Sequence, residues 1–107
     1  MSFPPSGLSD FVVVNRSVVL AMNVITVIAQ PSADRVVLLV STSTGSPAFV
    51  SGRANMAAST GISVPIGFSP LRLQWTLDGA LVNQAWYALV PGPSTIEICE
   101  VFYRPNR

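Results

Sequence analysis

The stretch LRLQWTL, residues 71–77, alternates apolar and polar side chains without interruption. Leucine or tryptophan stands at each odd position, and arginine, glutamine or threonine stands at each even one. Because successive side chains of a β-strand point to opposite faces of the sheet, this period of two predicts a strand with one buried and one solvated face. Trp75 falls on the apolar side, so we expect it in the core or in an interface.

The rest of the chain repeats this strand chemistry on both sides of residues 71–77. Valine, isoleucine, threonine and serine dominate, turn residues recur at short intervals, and no stretch of ten residues has helical periodicity. The sequence therefore predicts an all-β fold, a single antiparallel β-sandwich or jelly-roll-like domain of about 7–8 strands.

Several local patterns place individual strands and turns. Residues 35–42 have a continuous apolar centre, which predicts a central strand covered on both faces. The polar residues 43–46 predict a hairpin that returns through residues 47–51, with Gly45 at a positive φ. Residues 17–29 form either one long strand or two strands with a bend at Met22-Asn23, and Asp78-Gly79 indicates a turn.

The chain of 107 residues is long enough for one domain and one core. We divide it into an extended N-terminal arm, residues 1–10, and a β-sandwich domain, residues 11–107. Two prolines and one glycine deny the arm a regular ladder, while Phe3 and Leu8 are apolar enough to dock on another surface. The arm is either a frayed terminus or a strap that reaches a neighbouring subunit.

The composition argues against an enzyme. The sequence has no histidine, no lysine and one cysteine, and its five acidic residues are scattered. Nucleophiles need an adjacent base, and proton relays need a group that titrates near neutral pH. We therefore expect no catalysis, no metal and no cofactor.

The balance of charged and apolar residues points to self-association. Hydrophobic residues make up 50% of the chain and charged residues 10%. No apolar stretch reaches the ~20 residues of a membrane span, and the N-terminus lacks the basic start of a signal peptide. The six arginines stand singly, so nothing indicates a nucleic-acid groove. We expect the apolar excess to be buried in a homo-oligomer, made in a reducing cytoplasm that suits a single thiol.

A few residues stand out as interface candidates. Trp86 and Tyr87 are neighbours in a strand, so one points inward and the other can contact a subunit. Glu100 falls on the apolar face of its strand and needs an arginine partner, for which a subunit interface is one source. Loop residues 52–61 are small and polar and suit a contact surface. The full candidate set is Phe3, Leu8, Arg53, Met56, Trp86, Tyr87 and Glu100.

The order of these pieces resembles the small virion proteins of tailed bacteriophages. In residues 35–51 an arginine opens an apolar strand, a polar turn with glycine follows, and an aromatic-bearing strand returns. The segment TGISVP, residues 60–65, is similar to that group's glycine-isoleucine segment. Residues 78–88 and 95–101 resemble its aromatic and closing strands, so the resemblance spans residues 12–103.

The resemblance implies a role in a virion without enzymatic activity. It implies a capsid decoration, or cement, protein that stabilises the head shell through contacts with the major capsid protein and with copies of itself, a trimer being favoured. The alternative is a fibre or tail module that binds a host cell-surface glycan through Trp86 or Tyr87, or that binds another virion protein.

Overall fold

The structure is a computed structural model of the chain and describes residues 9–57, 61–66, 70–74 and 78–105. Within these residues, eight strands form two antiparallel sheets of four strands each. The predicted all-β sandwich is thereby confirmed. The strands are β1 (Ser9–Leu20), β2 (Thr26–Ala29), β3 (Arg35–Gly45), β4 (Ala48–Ser51), β5 (Ile62–Val64), β6 (Leu71–Gln74), β7 (Trp86–Leu89) and β8 (Ser94–Pro105).

The strand order is that of a jelly roll. The first sheet has the order β1-β8-β3-β6, and the second has the order β2-β7-β4-β5. Of the connections between these eight strands, β4 to β5 stays within one sheet and every other one crosses from sheet to sheet. Two four-stranded sheets with this order are the double Greek key of a jelly roll. The core lies between them and is built from residues such as Leu20, Ile28, Leu38, Val50, Ala88 and Ile96.

Strand β3 takes the central position that its apolar run predicts. It pairs with β8 on one side and with β6 on the other. Leu38 and Val40 point between the sheets and are fully buried, whereas Val37 and Leu39 on the outer face are half-buried. The prediction of a strand covered on both faces is therefore right for the inner face and too strong for the outer one.

The predicted hairpin between residues 35–42 and 47–51 is wrong. β3 continues to Gly45 and pairs along β8, while β4 belongs to the opposite sheet. The turn at Ser46-Pro47 thus carries the chain across the sandwich instead of folding it back beside β3. Gly45 has the expected positive φ, 91°.

Position 45 requires glycine for two reasons, the positive φ and the close approach of neighbouring atoms. A Cβ there would overlap the carbonyl oxygen of Pro93 and lie 2.7 Å from Cα of Ser94. Gly79 also has a positive φ, 58°, but a Cβ there would have no atom within 4 Å. The two glycines separate the cost of the backbone angle from the cost of a clash.

We expect Gly45→Ala to lower the free energy of unfolding by at least about 2 kcal/mol, because left-handed strain and a backbone clash add. Gly79→Ala should cost about 1 kcal/mol from the left-handed angle alone. Urea denaturation of both variants provides the measurement. Equal losses in the two variants would show that the close approach of Pro93 adds nothing.

The bend predicted at Met22-Asn23 is confirmed. β1 ends at Leu20, Asn23 takes a positive φ of 58°, and β2 begins at Thr26. The backbone N–H of Asn23 donates to the carbonyl of Val90 at 2.8 Å, which ties this bend to the end of β7. Asparagine tolerates the left-handed region better than other side chains, which explains its position.

The boundary of the arm differs from the prediction. β1 begins at Ser9, so residues 9 and 10 belong to the sheet and not to an arm. Residues 1–8, which include Phe3 and Leu8, lie outside the described residues, as does Trp75. The alternation of residues 71–74 is confirmed, since Leu73 is buried and Arg72 is exposed.

A short 3-10 helix, Gly79–Asn83, replaces the simple turn predicted at Asp78-Gly79. It packs against β3 and β6 and buries Val82 completely. The Asn83 side-chain amide donates to the carbonyls of Ser32 and Arg35, at 3.0 and 2.8 Å, and so holds the turn between β2 and β3. Among the described residues there is no helix of the length and apolarity that a membrane crossing requires.

Candidate subunit interface

The longest edge of the sandwich is strand β1. It pairs with β8 over twelve consecutive positions, from Ser9 opposite Pro105 to Leu20 opposite Ser94, without a register shift. On its other side, no strand of the described part of the chain pairs with it. An edge strand presents unpaired N–H and C=O groups that another chain can bind. Residues 9–20 contain no proline, glycine or lysine to block such binding.

Exposed apolar side chains concentrate on this edge and on the segment that follows it. Eight of the eleven exposed large apolar residues in the described part of the chain lie between positions 11 and 27. Val13 is 56% exposed and Val19 is 79% exposed. We call this set the apolar edge: Phe11, Val13, Val14, Val19, Met22, Val24, Ile25 and Val27.

The apolar edge includes residues of both sheets. β1 is an edge strand of the first sheet and β2 is an edge strand of the second. The Arg16 guanidinium donates to the carbonyl of Ile28, so the two edges lie on the same side of the sandwich. Soluble monomers rarely expose a large contiguous apolar area, and such areas mark interaction sites.

A buried arginine, Arg35, organises the interior beside this edge. Its side chain is 1% exposed and donates four hydrogen bonds. Three go to the carbonyls of Gln30, Val82 and Gln84, at 2.7, 2.7 and 2.6 Å. The fourth joins the Glu100 carboxylate at 2.9 Å. Arg35 thus connects the turn after β2, the 3-10 helix and β8, and these partners offset the cost of burying its charge.

Arg16 also pairs with Glu100, from the solvent side, and so completes a cluster of three charged residues with Arg35. Its Nη2 lies 3.0 Å from Oε1 of Glu100, and its side chain is 38% exposed. Arg16, Arg35 and Glu100 together carry two positive charges and one negative charge. The cluster therefore has an excess of one positive charge, and the arginine that carries it to the surface stands on β1.

The outer face of the first sheet is apolar at the end where β1 begins. The strand register places Phe11 beside Tyr103, with ring centroids 5.2 Å apart. It also places Val13 beside Val101, which is half-buried and pairs in turn with Val37. The exposed part of β1 is therefore the rim of an apolar surface rather than an isolated strip.

Trp86 does not point toward a partner. It is 5% exposed, belongs to the core, and its indole N–H donates to the carbonyl of Leu81 at 2.9 Å. The prediction that one of the two neighbouring aromatics points inward is confirmed, with Trp86 inside and Tyr87 half-buried on the outer face. Trp86 is thus wrong as an interface candidate, because the sandwich itself buries its ring, while Tyr87 stays a candidate.

Glu100 lies on the inner face, as its strand pattern predicts, and is 6% exposed. Its arginine partners, Arg16 and Arg35, both come from the same chain, so an arginine across a subunit interface is not needed. Glu97, three positions earlier, is exposed and accepts from Ser17 at 2.7 Å. The two glutamates therefore point to opposite faces, as predicted.

The two loop candidates have different environments. Arg53 is exposed, and its backbone N–H donates to the Ser51 hydroxyl at 3.1 Å. Met56 is 6% exposed, and its methyl group lies over Gly61, where an added Cβ would come within 3.0 Å of it. Met56 holds the loop against its own domain, whereas Arg53 is free of that constraint and stays a candidate.

The sequence reasoning missed the importance of β1 and of Arg16. The predicted arm ends at residue 10 and the strand prediction for residues 17–29 begins later, so the run SDFVVVNRSVVL, residues 9–20, is not identified as one uninterrupted strand. A signal was present, since these twelve residues contain no glycine or proline and only two charged residues. Such a stretch is long for a strand and carries few of the features that protect an edge.

The sequence matches no protein-family model and no curated protein. Among solved structures, the fold is similar to a chain from Bacillus endospore appendages, which are described as a novel family of disulfide-linked pili. The TM-score is 0.53 at 15% sequence identity, and the match covers 100% of this chain and 98% of that one. The likeness extends over the whole β-sandwich and supports the fold assignment.

Proposed function

We propose that this chain is a structural protein without enzymatic activity, which acts by self-association within a larger assembly. The observation that carries the proposal is the apolar edge, where eight exposed apolar side chains lie on or next to a twelve-residue strand that, among the described strands, pairs with β8 alone. Burying such a surface in a subunit contact is favourable in proportion to its apolar area. The low charge content of the chain, 10%, supports the same role.

The form of assembly that the sequence supports best is a bacteriophage head. Residues 12–103 resemble small virion proteins of tailed phages, and a jelly roll is a fold that capsid proteins use repeatedly. A decoration protein in this role binds the major capsid protein and stabilises the shell by covering subunit junctions. The trimer that the resemblance implies stays a prediction, as does the location on the virion.

A filament subunit is the second candidate. The solved structure that shares the fold over the full length of the chain belongs to pili, which are assemblies of repeated subunits. The long edge strand and the apolar edge suit head-to-tail stacking as well as a closed oligomer. This chain has one cysteine, Cys99, which is half-buried on β8, so disulfide links of the kind named for those pili would depend on that residue alone.

A glycan-binding module is less well supported than either assembly role. The proposed stacking platform used Trp86 or Tyr87, and the Trp86 ring lies in the core. Tyr87 alone, half-buried on the second sheet, offers less exposed aromatic area for a sugar ring.

Self-association is tested by the mass of the purified chain in solution. Light scattering behind a sizing column should give a multiple of the 11.4 kDa of one chain at micromolar concentration. A mass of one chain under these conditions would contradict self-association. A different protein would then have to be sought as the partner of the apolar edge.

The two assembly candidates differ in where the protein is found. Antibody labelling of particles and cells from the source culture, viewed by electron microscopy, locates the chain directly. Label on icosahedral heads supports the decoration protein, and label along filaments supports the pilus-type subunit. Label on neither structure would contradict both.

A further inference from the structure

We propose that two copies of this chain pack against each other through one end of the sandwich, about a two-fold axis, so that the two molecules lie end to end. The end in question carries no charged residue. The inference rests on the proposed self-association, names the surface that carries it, and specifies a closed pair instead of an open stack.

Three turns, joined by hydrogen bonds, form this end of the sandwich. The backbone N–H of Asn23 donates to the carbonyl of Val90 at 2.8 Å. The Ser94 hydroxyl donates to the carbonyls of Ser46 and Gly92, at 2.8 and 3.0 Å. These bonds hold the turns after β1, β3 and β7 side by side. We call the surface that they form the uncharged end: residues 18–25, 42–48 and 89–96.

The uncharged end is apolar where it meets solvent. None of the chain's six arginines and five acidic residues falls within it. Four members of the apolar edge lie here, and three of them, Val19, Met22 and Val24, are 79%, 55% and 50% exposed. Exposed prolines stand beside them, and proline has no N–H to donate. The exposed apolar residues and prolines of this end are Val19, Met22, Val24, Ile25, Pro47, Pro91 and Pro93.

Hydroxyl groups near this end are satisfied within the chain. The Ser43 hydroxyl donates to the carbonyl of Thr95 at 3.1 Å, and the Thr42 hydroxyl donates to the carbonyl of Val64 at 2.7 Å. A partner that covers these residues without offering acceptors therefore leaves both donors paired. The uncharged end thus suits a second apolar surface better than a polar ligand.

Charge determines which end of a second copy fits best. β4 begins beside the uncharged end and runs away from it, and the exposed Arg53 follows its last residue. Asp34, also exposed, lies beside Tyr103, at the end where β1 begins. A head-to-tail contact would press the uncharged end against an end with such charges, and burying a charge without a partner is costly. Two uncharged ends meet without that cost, and a contact between identical patches requires a two-fold axis.

The size of the uncharged end suits a pair. The molecule measures 46 × 23 × 20 Å. The twelve residues of β1 span about 40 Å and can lie only along the longest dimension, so the uncharged end is a narrow one. An end of this width buries on the order of 500 Å² on each copy, and the total of about 1,000 Å² is the minimum for a specific interface.

The first test compares two valines that are about equally exposed. Val24, 50% exposed, lies at the uncharged end, and Val13, 56% exposed, lies on β1 away from it. Val24→Lys places a charge in the contact on both copies and should halve the mass measured by light scattering, whereas Val13→Lys should leave the mass unchanged. Both side chains are at least half exposed in the single chain, so thermal unfolding should show that both variants fold.

A mixing experiment tests the two-fold axis. Val24→Lys and Val24→Glu should each lose the oligomer alone, and an equimolar mixture of the two should recover the wild-type mass. A two-fold contact brings residue 24 of both copies into one contact, where opposite charges attract. In a head-to-tail contact, residue 24 of each copy faces the other end of its neighbour, so mixing would restore nothing. Failure to recover the mass, with both variants folded, would overturn the two-fold axis.

Small-angle X-ray scattering of the wild type tests the arrangement. Two molecules end to end should have a maximum dimension of roughly twice the 46 Å length of one chain. Molecules that associate through their sides keep a maximum dimension close to that of one chain, and this result would overturn the end-to-end contact.

The outcomes separate this inference from the proposed function. A wild-type chain that is monomeric at micromolar concentration contradicts both. A wild-type oligomer whose mass survives Val24→Lys, or is lost equally in Val13→Lys, overturns the end-to-end contact but leaves self-association intact. An oligomer that is lost in Val24→Lys, kept in Val13→Lys and recovered by mixing supports both.

Discussion

Replacing Arg35 with methionine is expected to lower the free energy of unfolding by about 3–5 kcal/mol. The change leaves the carbonyls of Gln30, Val82 and Gln84 without their donor. It also leaves the Glu100 carboxylate, 6% exposed, with Arg16 as its remaining partner in the cluster. Buried groups that lose a partner suffer the full cost of desolvation, which exceeds the net value of the interaction. Urea denaturation at a fixed protein concentration measures the effect, because association is linked to stability.

Arg72→Met is the matched control for this variant. Arg72 is exposed on β6, so the same substitution there should change the stability by no more than about 0.5 kcal/mol. The double variant Arg35→Met with Glu100→Leu should lose less stability than Arg35→Met alone, because it no longer leaves the buried Glu100 carboxylate without Arg35. A loss below about 1 kcal/mol in Arg35→Met would show that the cost of burying the guanidinium nearly cancels its hydrogen bonds.

Trp86→Ala is expected to cost about 3–5 kcal/mol, because it opens a cavity in the core between the two sheets. The indole is 5% exposed, and its N–H bond to the carbonyl of Leu81 is lost together with the ring. That carbonyl belongs to the 3-10 helix, so the variant should also loosen the segment that supports Arg35. Chemical denaturation gives the free energy, and hydrogen exchange of residues 79–84 reports the local effect.

Tyr87→Ala provides the comparison from the neighbouring position. Tyr87 is half-buried on the outer face, so its removal leaves no enclosed cavity and should cost about 1–2 kcal/mol. A larger loss for Tyr87 than for Trp86 would reverse the assignment of inner and outer faces in β7. Loss of oligomer in Tyr87→Ala with little loss of stability would instead identify the second sheet as a contact surface.

The features that the sequence predicts correctly are local ones. The period of two decides which of Trp86 and Tyr87 points inward, and it separates Glu97 from Glu100 in the same way. The bend at Asn23 and the positive φ of Gly45 follow from what those residue types tolerate. Each of these depends on neighbours in the chain, which a sequence displays directly.

The features that sequence reasoning missed depend on distant partners. Whether the strand after Gly45 folds back beside β3 or crosses to the other sheet is decided by the pairing of β3 with β8, about fifty residues later. Glu100 finds Arg35 at a separation of 65 positions and Arg16 at 84. An Asp-Gly pair signals a turn but not the 3-10 helix that continues from it, because packing against β3 and β6 stabilises that helix.

The high apolar content predicts that another subunit covers some surface, but not where that surface lies. The structure places the exposed apolar residues on the apolar edge, and the coverage itself stays a prediction. Of the seven candidate residues, Trp86, Met56 and Glu100 are buried by contacts within the domain itself. A hydrophobic or unpaired residue in a sequence can be satisfied by its own chain or by a partner, and only the three-dimensional arrangement distinguishes the two.

The pairing of β1 with β8 also determines when the first sheet can fold as the chain is made. The two strands of the longest ladder are made first and last among the described strands, and their register joins positions as far apart as Ser9 and Pro105. Until residues 94–105 leave the ribosome, β1 has neither of its long edges covered, and Glu100 is not present to neutralise Arg35. The ladder between β1 and β8 can therefore form only after residues 94–105 have been made, as in other proteins dominated by distant contacts. Until then each nascent chain exposes the valine-rich strand β1, and unpaired strand edges of this kind are prone to aggregate.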